Sequence, residues 1–198
     1  MTNKLAKIDR RRKAVLILEC DSGKLTQQNL AVGSELERVA TKVFPQNPIK
    51  YIKSFTEAEL LKTIAALYET GQLFRSIVII GHSDRNGLQI ASDRFNKWSA
   101  VANWISPFKP HRVILLACEA GQSLSCAALF DGIPTLKEAF GSPINANKNQ
   151  QYIVLARVLY VLGAKKENPF VNQLMQLANV ILTQGVMLSR TRNDYENG

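Results

Sequence analysis

The chain has no uninterrupted apolar run of the roughly 18 or more residues that a membrane-spanning helix needs. The nearest stretch, Phe170 to Leu188, is broken by Asn172, Gln173, Gln176, Asn179 and Gln184. The basic N-terminus has no apolar segment before a small-residue cleavage site, so no secretory signal is expected. A Gly-X-Y period, a heptad run, an internal repeat and a proline-rich linker are also missing, which excludes fibrous and repeat architectures. Cysteine is scarce: Cys20, Cys118 and Cys126 form neither an even disulfide framework nor a Cys-x-x-Cys pair. With only His82 and His111 beside them, a structural zinc site is not expected, and no metal or other cofactor is called for. Neither Gly-x-Gly-x-x-Gly nor Gly-x4-Gly-Lys-Ser/Thr occurs, which removes the two commonest phosphate-cradling loops. These absences together predict a soluble, cytoplasmic chain with free thiols.

What is present is material for one core. The 198 residues are 46% hydrophobic and 21% charged, within the range of one domain and too apolar for a disordered tail. The formal net charge is +9, but it is unevenly spread. Residues 1–13 hold Lys4, Lys7, Arg10, Arg11, Arg12 and Lys13 against Asp9, a net of +5. Such an arm suits phosphate or an anionic surface, and a nucleic-acid binder is one function class to carry forward. A solvated terminus, dispensable for folding, is the plainer expectation. The division expected is an arm over 1–13 and a single domain over 14–198.

The hydrophobic pattern supplies the elements. Ala14 to Cys20 is a short apolar run ended by Asp21-Ser-Gly23, a buried strand and turn. Leu30, Leu36, Val39, Ala40 and Val43 predict a helix over 24–44, closed by Pro45 and Pro48. Ile49 to Phe55 reads as a second strand, and Thr56 with Glu59 as a capping box opening a helix that runs to Gly71. Ser76 to Ile80 is a third strand stopped by Gly81, followed by a small hairpin arm over Leu88 to Ile90 after Asn86-Gly87. A helix is expected over 94–106 and a fourth strand over Arg112 to Ala117. Next comes a helix from Ser123, interrupted at Gly132 and Pro134 and resumed from Leu136 to Phe140. Pro143 to Ala146 suits a short fifth strand, and helices are expected over 150–163 and 169–189. Alternating strands and helices predict an α/β three-layer sandwich with a mostly parallel central sheet.

Ligands of such sheets lie outside the carboxyl ends of the strands. His82 closes the third strand and Cys118 the fourth. A thiol is mostly protonated at neutral pH, so a nucleophilic cysteine needs an imidazole to take its proton and later protonate the leaving amine. Adjacent strands ending in His and Cys would bring the two together, and a helix following Cys118 would favour the thiolate. Backbone N–H groups at Ser83 and Cys118 are the natural oxyanion donors.

At these residues the chain resembles the caspase-like (clan CD) cysteine peptidases, and in text most nearly the CHAT and separase-type domains. The resemblance rests on Ile77-Val-Ile-Ile-Gly-His-Ser83 and Val113-Ile-Leu-Leu-Ala-Cys-Glu-Ala-Gly121. Members of that group end one apolar strand in a catalytic His and the next in a catalytic Cys. It implies a caspase-like fold over roughly residues 14–146 and a cysteine endopeptidase using a Cys118–His82 dyad, with a polypeptide substrate and an activating protein as possible partners. One departure stands out: most members carry Gly after the His, where this chain has Ser83. That departure motivates the alternative, an inactive caspase-like interaction module.

Taken singly, a Cys ending a strand is commonly a small core hydrophobe and a lone His near a turn is commonly just hydrogen-bonded. It is the pair, in order and at two strand ends, that carries the dyad. Cys20 and Cys126 are expected to be packing residues, His111 a surface residue, and Trp98 and Trp104 core. Asp21 ends the first strand at the same edge, where relatives preferring a basic P1 residue keep an acidic group. It also makes a good turn with Ser22-Gly23. Asp84 and Glu119, flanking the two catalytic candidates, are the other substrate-binding candidates.

Overall fold

Apolar runs of five to eight residues are too short to bury themselves as helices, and here they become the middle of a sheet. A computed structural model describes residues 14–20, 32–90, 94–141 and 188–197. Its elements are β1 (Val15–Cys20), α1 (Val32–Val43), β2 (Ile49–Ser54), α2 (Glu57–Glu69), β3 (Ser76–Ser83), β4 (Gly87–Gln89) and β5 (Phe95–Lys97). They continue with α3 (Trp98–Ile105), a 3-10 turn (Ser106–Phe108), β6 (Arg112–Leu116), α4 (Ser123–Gly132), β7 (Glu138–Gly141), β8 (Leu188–Thr191) and α5 (Arg192–Glu196). The sheet order is β2-β1-β3-β6-β7-β8, parallel except for β8, which runs antiparallel to β7. β4 pairs antiparallel with the end of β3 and with β5.

The sheet is covered on both faces, as a parallel sheet must be. Leu16, Leu18, Ile77, Ile79, Val113 and Leu115 pack on one side with α2, α3 and α4. Their neighbours Val15, Ile17, Val78, Ile80 and Ile114 point the other way, against Leu36 and Ala40 of α1. Each fully buried branched side chain contributes about 1.5–3 kcal/mol. The fold is the expected α/β three-layer sandwich with a mostly parallel sheet. Among the described residues, no helix is long and apolar enough to cross a membrane.

Several local expectations are corrected. β3 does not stop at Gly81; it runs on through His82 and Ser83, because β4 pairs with those two residues. The helix expected from residue 94 begins at Trp98, since Phe95–Lys97 is claimed by β4 as the strand β5. The helix expected to resume at Leu136 is instead β7, whose Ala139 and Phe140 alternate between the two faces of the sheet. Leu188 and Ser189, assigned to a last helix, belong to β8. The capping box of α2 is half made: Thr56 accepts from the Glu59 N–H, but the Glu59 carboxylate takes the Phe55 N–H rather than that of Thr56. The basic arm, the strand at Pro143, the helix over 150–163 and the rest of that over 169–189 lie outside the described residues.

One charged residue sits inside a buried strand. Glu19 of β1 is 1% exposed. Its Oε2 accepts from the Gly33 N–H at the start of α1 (2.9 Å) and from the Tyr51 hydroxyl (3.0 Å), and Lys53 Nζ lies 3.2 Å from Oε1 as an ion pair. Gly33 is needed for space: a Cβ there would stand 2.1 Å from Glu19 Oε2. The carboxylate thus pins α1 to β1 and β2 through one buried point. Among the described residues at the other end of the fold, Arg192 serves as a similar pin. Its guanidinium donates to the carbonyls of Phe130, Ile133 and Leu136, all within 2.9 Å, and lies over the Phe130 ring. Those carbonyls belong to the C-terminal end of α4 and the chain leaving it, where the last helix acceptors have no partner within the helix; the Ile133 carbonyl also accepts from the Leu136 N–H. Glu19→Ala strands the Gly33 and Tyr51 donors and is expected to cost about 2–4 kcal/mol, read as a lowered urea midpoint with an unchanged slope.

Candidate active site

All five registered pairs between β3 and β6 join residues 36 positions apart, from Ser76 with Arg112 to Ile80 with Leu116. The same offset relates His82 to Cys118, two residues past the last pair. The parallel ladder therefore brings the two candidates to neighbouring strand ends on one edge of the sheet. His82 is still inside β3, held by pairing with Gln89, and is half-buried. Cys118 lies just beyond β6, in a turn, and is also half-buried.

Each end is fixed by local chemistry. Asp84 Oδ1 accepts from the N–H groups of Asn86 (2.7 Å) and Gly87 (3.0 Å), closing the β3–β4 hairpin. The indole N–H of Trp98 donates to the Asp84 carbonyl at 3.3 Å, tying the hairpin to α3. The Asp84 N–H donates to the Gly87 carbonyl, and antiparallel alternation then turns the backbone N–H of Ser83 away from β4. On the other strand, Glu119 has φ +55°, a left-handed conformation uncommon for a residue with a Cβ. The Gln122 N–H bonds back to the Glu119 carbonyl, so residues 118–122 form a compact turn before α4.

The two strands flanking β6 hold that turn between them. From β3, the Ser83 hydroxyl donates to the Cys118 carbonyl. From β7, Gly141 admits the turn: a Cβ there would lie 2.8 Å from both Cα and N of Gly121. Four residues separate Cys118 from Ser123, the first residue of α4. The helix expected to polarise the thiol thus begins farther on, and a helix dipole fades within about one turn.

The three thiols differ sharply in surroundings. Cys20 is buried in β1, and burial, then the Glu19 charge, pushes its thiol from 9.0 up to about 12. Cys126 is buried on α4, and burial pushes its thiol up to about 11, against the partial opposition of Arg190. Both are packing residues, as expected. Trp98 is core and Trp104 packs against it. His111 is half-buried rather than at the surface, because its backbone joins Arg75 to Lys137 and Glu138. Of the substrate-binding candidates, Asp84 has its carboxylate engaged in the hairpin turn, Glu119 is half-buried in the Cys118 turn, and Asp21 lies outside the described residues.

Among the described residues, no cluster of His, Cys, Asp and Glu could hold a metal ion. The Ser83 hydroxyl and the close approach at Gly141 were not foreseen from sequence. Ser83 in place of glycine was the visible signal for the first; nothing in the sequence pattern marked the second. Compared with known proteins, the chain matches no family model, and no curated protein matches it.

A thiol reagent at pH 8 is expected to modify Cys118 in the folded protein and to reach Cys20 and Cys126 only in urea, with peptide mapping as the readout. The raised thiols also set an alkaline limb. The unfolded chain loses those protons near pH 9, while the native state keeps them, so their contribution is complete below pH 9 and fades toward pH 12. Urea midpoints taken from pH 8 to 11 should fall, and fall less steeply in Cys20→Ala.

Proposed function

We propose that the chain is a cysteine endopeptidase of caspase-like type, with Cys118 as nucleophile and His82 as general base and acid. The observation that carries this reading is the common 36-residue register, which brings His82 and Cys118 to adjacent ends of parallel strands. The resemblance of the two flanking sequences supports it independently of the fold. His82 takes the thiol proton as Cys118 Sγ attacks the scissile carbonyl carbon. The resulting oxyanion is met by the N–H groups of Ser83 and Cys118. Collapse expels the amine, which leaves with the proton from His82, and a thioester remains. Water, deprotonated by His82, then cleaves the thioester and restores the thiol. Three free thiols suit a reducing, cytoplasmic setting.

The test is covalent labelling with peptidyl acyloxymethyl ketones bearing Arg, Leu or Asp at P1. Cys118→Ala is expected to abolish labelling and His82→Ala to slow it by about a hundredfold or more, whereas Cys20→Ala and Cys126→Ala retain it. Labelling that survives Cys118→Ala rules the nucleophile out.

A second reading, the same fold without turnover, draws on Ser83 standing where a glycine is usual; failure of all three probes would favour it. The P1 preference proposed is basic, with Asp21, which follows β1 in the sequence, as the pairing carboxylate. A P1-scanning library should show Arg or Lys preferred in the wild type and the preference lost in Asp21→Ala. Preference for Asp or Leu removes Asp21 from that role.

A further inference from the structure

We propose that the Ser83 side chain is a positioning group for the nucleophile: its hydroxyl, donated to the Cys118 carbonyl, holds the Cys118–Glu119 peptide in the orientation the reaction uses. This deepens the peptidase reading and rests on it.

Ser83 is the last residue of β3, buried, and its Oγ reaches across the strand gap to the Cys118 carbonyl. This hydroxyl is a separate group from the Ser83 backbone N–H assigned to the oxyanion. The carbonyl it holds belongs to a peptide under tension. The next residue, Glu119, has φ +55°, which an L-residue with a Cβ adopts at a cost. Rotating the Cys118–Glu119 peptide plane changes ψ of Cys118 and φ of Glu119 together, and would let Glu119 leave the left-handed region. In a trans peptide the C=O and N–H point in opposite directions, so the same rotation would swap an acceptor for a donor beside the thiol.

Two contacts oppose that rotation. Gly141 confines the later part of the turn, at Ala120 and Gly121. The Ser83 hydroxyl bonds the Cys118 carbonyl itself, on the peptide next to the nucleophile. Where a glycine would leave that carbonyl without this partner, serine supplies a lock from the strand that also carries His82. In a caspase-like site the serine thus tightens the geometry between the two strand ends.

The decisive pair is Ser83→Thr against Ser83→Val, side chains of the same shape that differ in the hydroxyl alone. The readout is the second-order rate of Cys118 labelling by the best of the three peptidyl acyloxymethyl ketones, with thermal midpoints measured alongside. In this reaction the thiolate forms an S–C bond, the acyloxy group leaves as carboxylate, and the thiol proton passes to His82. Ser83→Thr is expected to label within about twofold of wild type, and Ser83→Val and Ser83→Gly to label roughly threefold to tenfold more slowly, the span of one neutral hydrogen bond. Glu119→Gly, which removes the cost of the left-handed turn, should shrink the difference between Thr and Val. Equal rates for Thr and Val overturn the positioning role and leave the peptidase reading intact, as does faster labelling in Ser83→Gly. Absence of labelling in the wild type overturns both.

Discussion

In a parallel pair every strand end points the same way, and the register between two strands decides which residues meet at that end. The pairing of β3 with β6 is the constraint on which the candidate site depends. A slip of one residue would turn every apolar side chain of β6 from one layer to the other, and both layers are packed. The core therefore protects the alignment of His82 with Cys118, although neither residue belongs to it. Precision at the edge is a by-product of burial in the middle.

The same sheet shows two ways of keeping a reactive group quiet. Burial holds the Cys20 and Cys126 thiols protonated, with the Glu19 charge adding to it at Cys20. Glu19 is buried yet supplied with a backbone N–H, a phenol and an ammonium. Cys118 has neither treatment: it sits half-buried in a turn, outside both hydrophobic layers. Contrast between the three cysteines, more than any property of one, sets Cys118 apart.

The layered architecture was legible because it rests on long-range averages. Short β-branched runs alternating with helical spacings leave little choice of fold class. Misreadings arose where pairing partners overrode local pattern. Gly81 looks like a stop, yet β4 carries the strand beyond it. Phe95, Asn96 and Lys97 suit a helix by spacing but are taken as a ladder rung by Gly87, Leu88 and Gln89. Glu138 to Gly141 suits a helix until β6 offers an open edge. At the site, the two chemically distinctive residues could be picked out because they end apolar runs. The hydroxyl of Ser83 and the missing side chain of Gly141 act through space, on a carbonyl and a backbone distant in the chain, and no periodicity encodes that.

Arg192 satisfies the carbonyls at the end of α4 from about sixty residues downstream, and β8 closes the sheet beside β7. A ribosome that has released residues 14–141 has thus made the five parallel strands but neither β8 nor the guanidinium that bonds the carbonyls at the end of α4. Until then β7 lacks its β8 partner and the Phe130 carbonyl at the end of α4 lacks the Arg192 guanidinium, and sequence-distant contacts of this kind are slow to form. Completion of the β7 edge and of the α4 terminus thereby waits on residues 188–192, after the five parallel strands already exist.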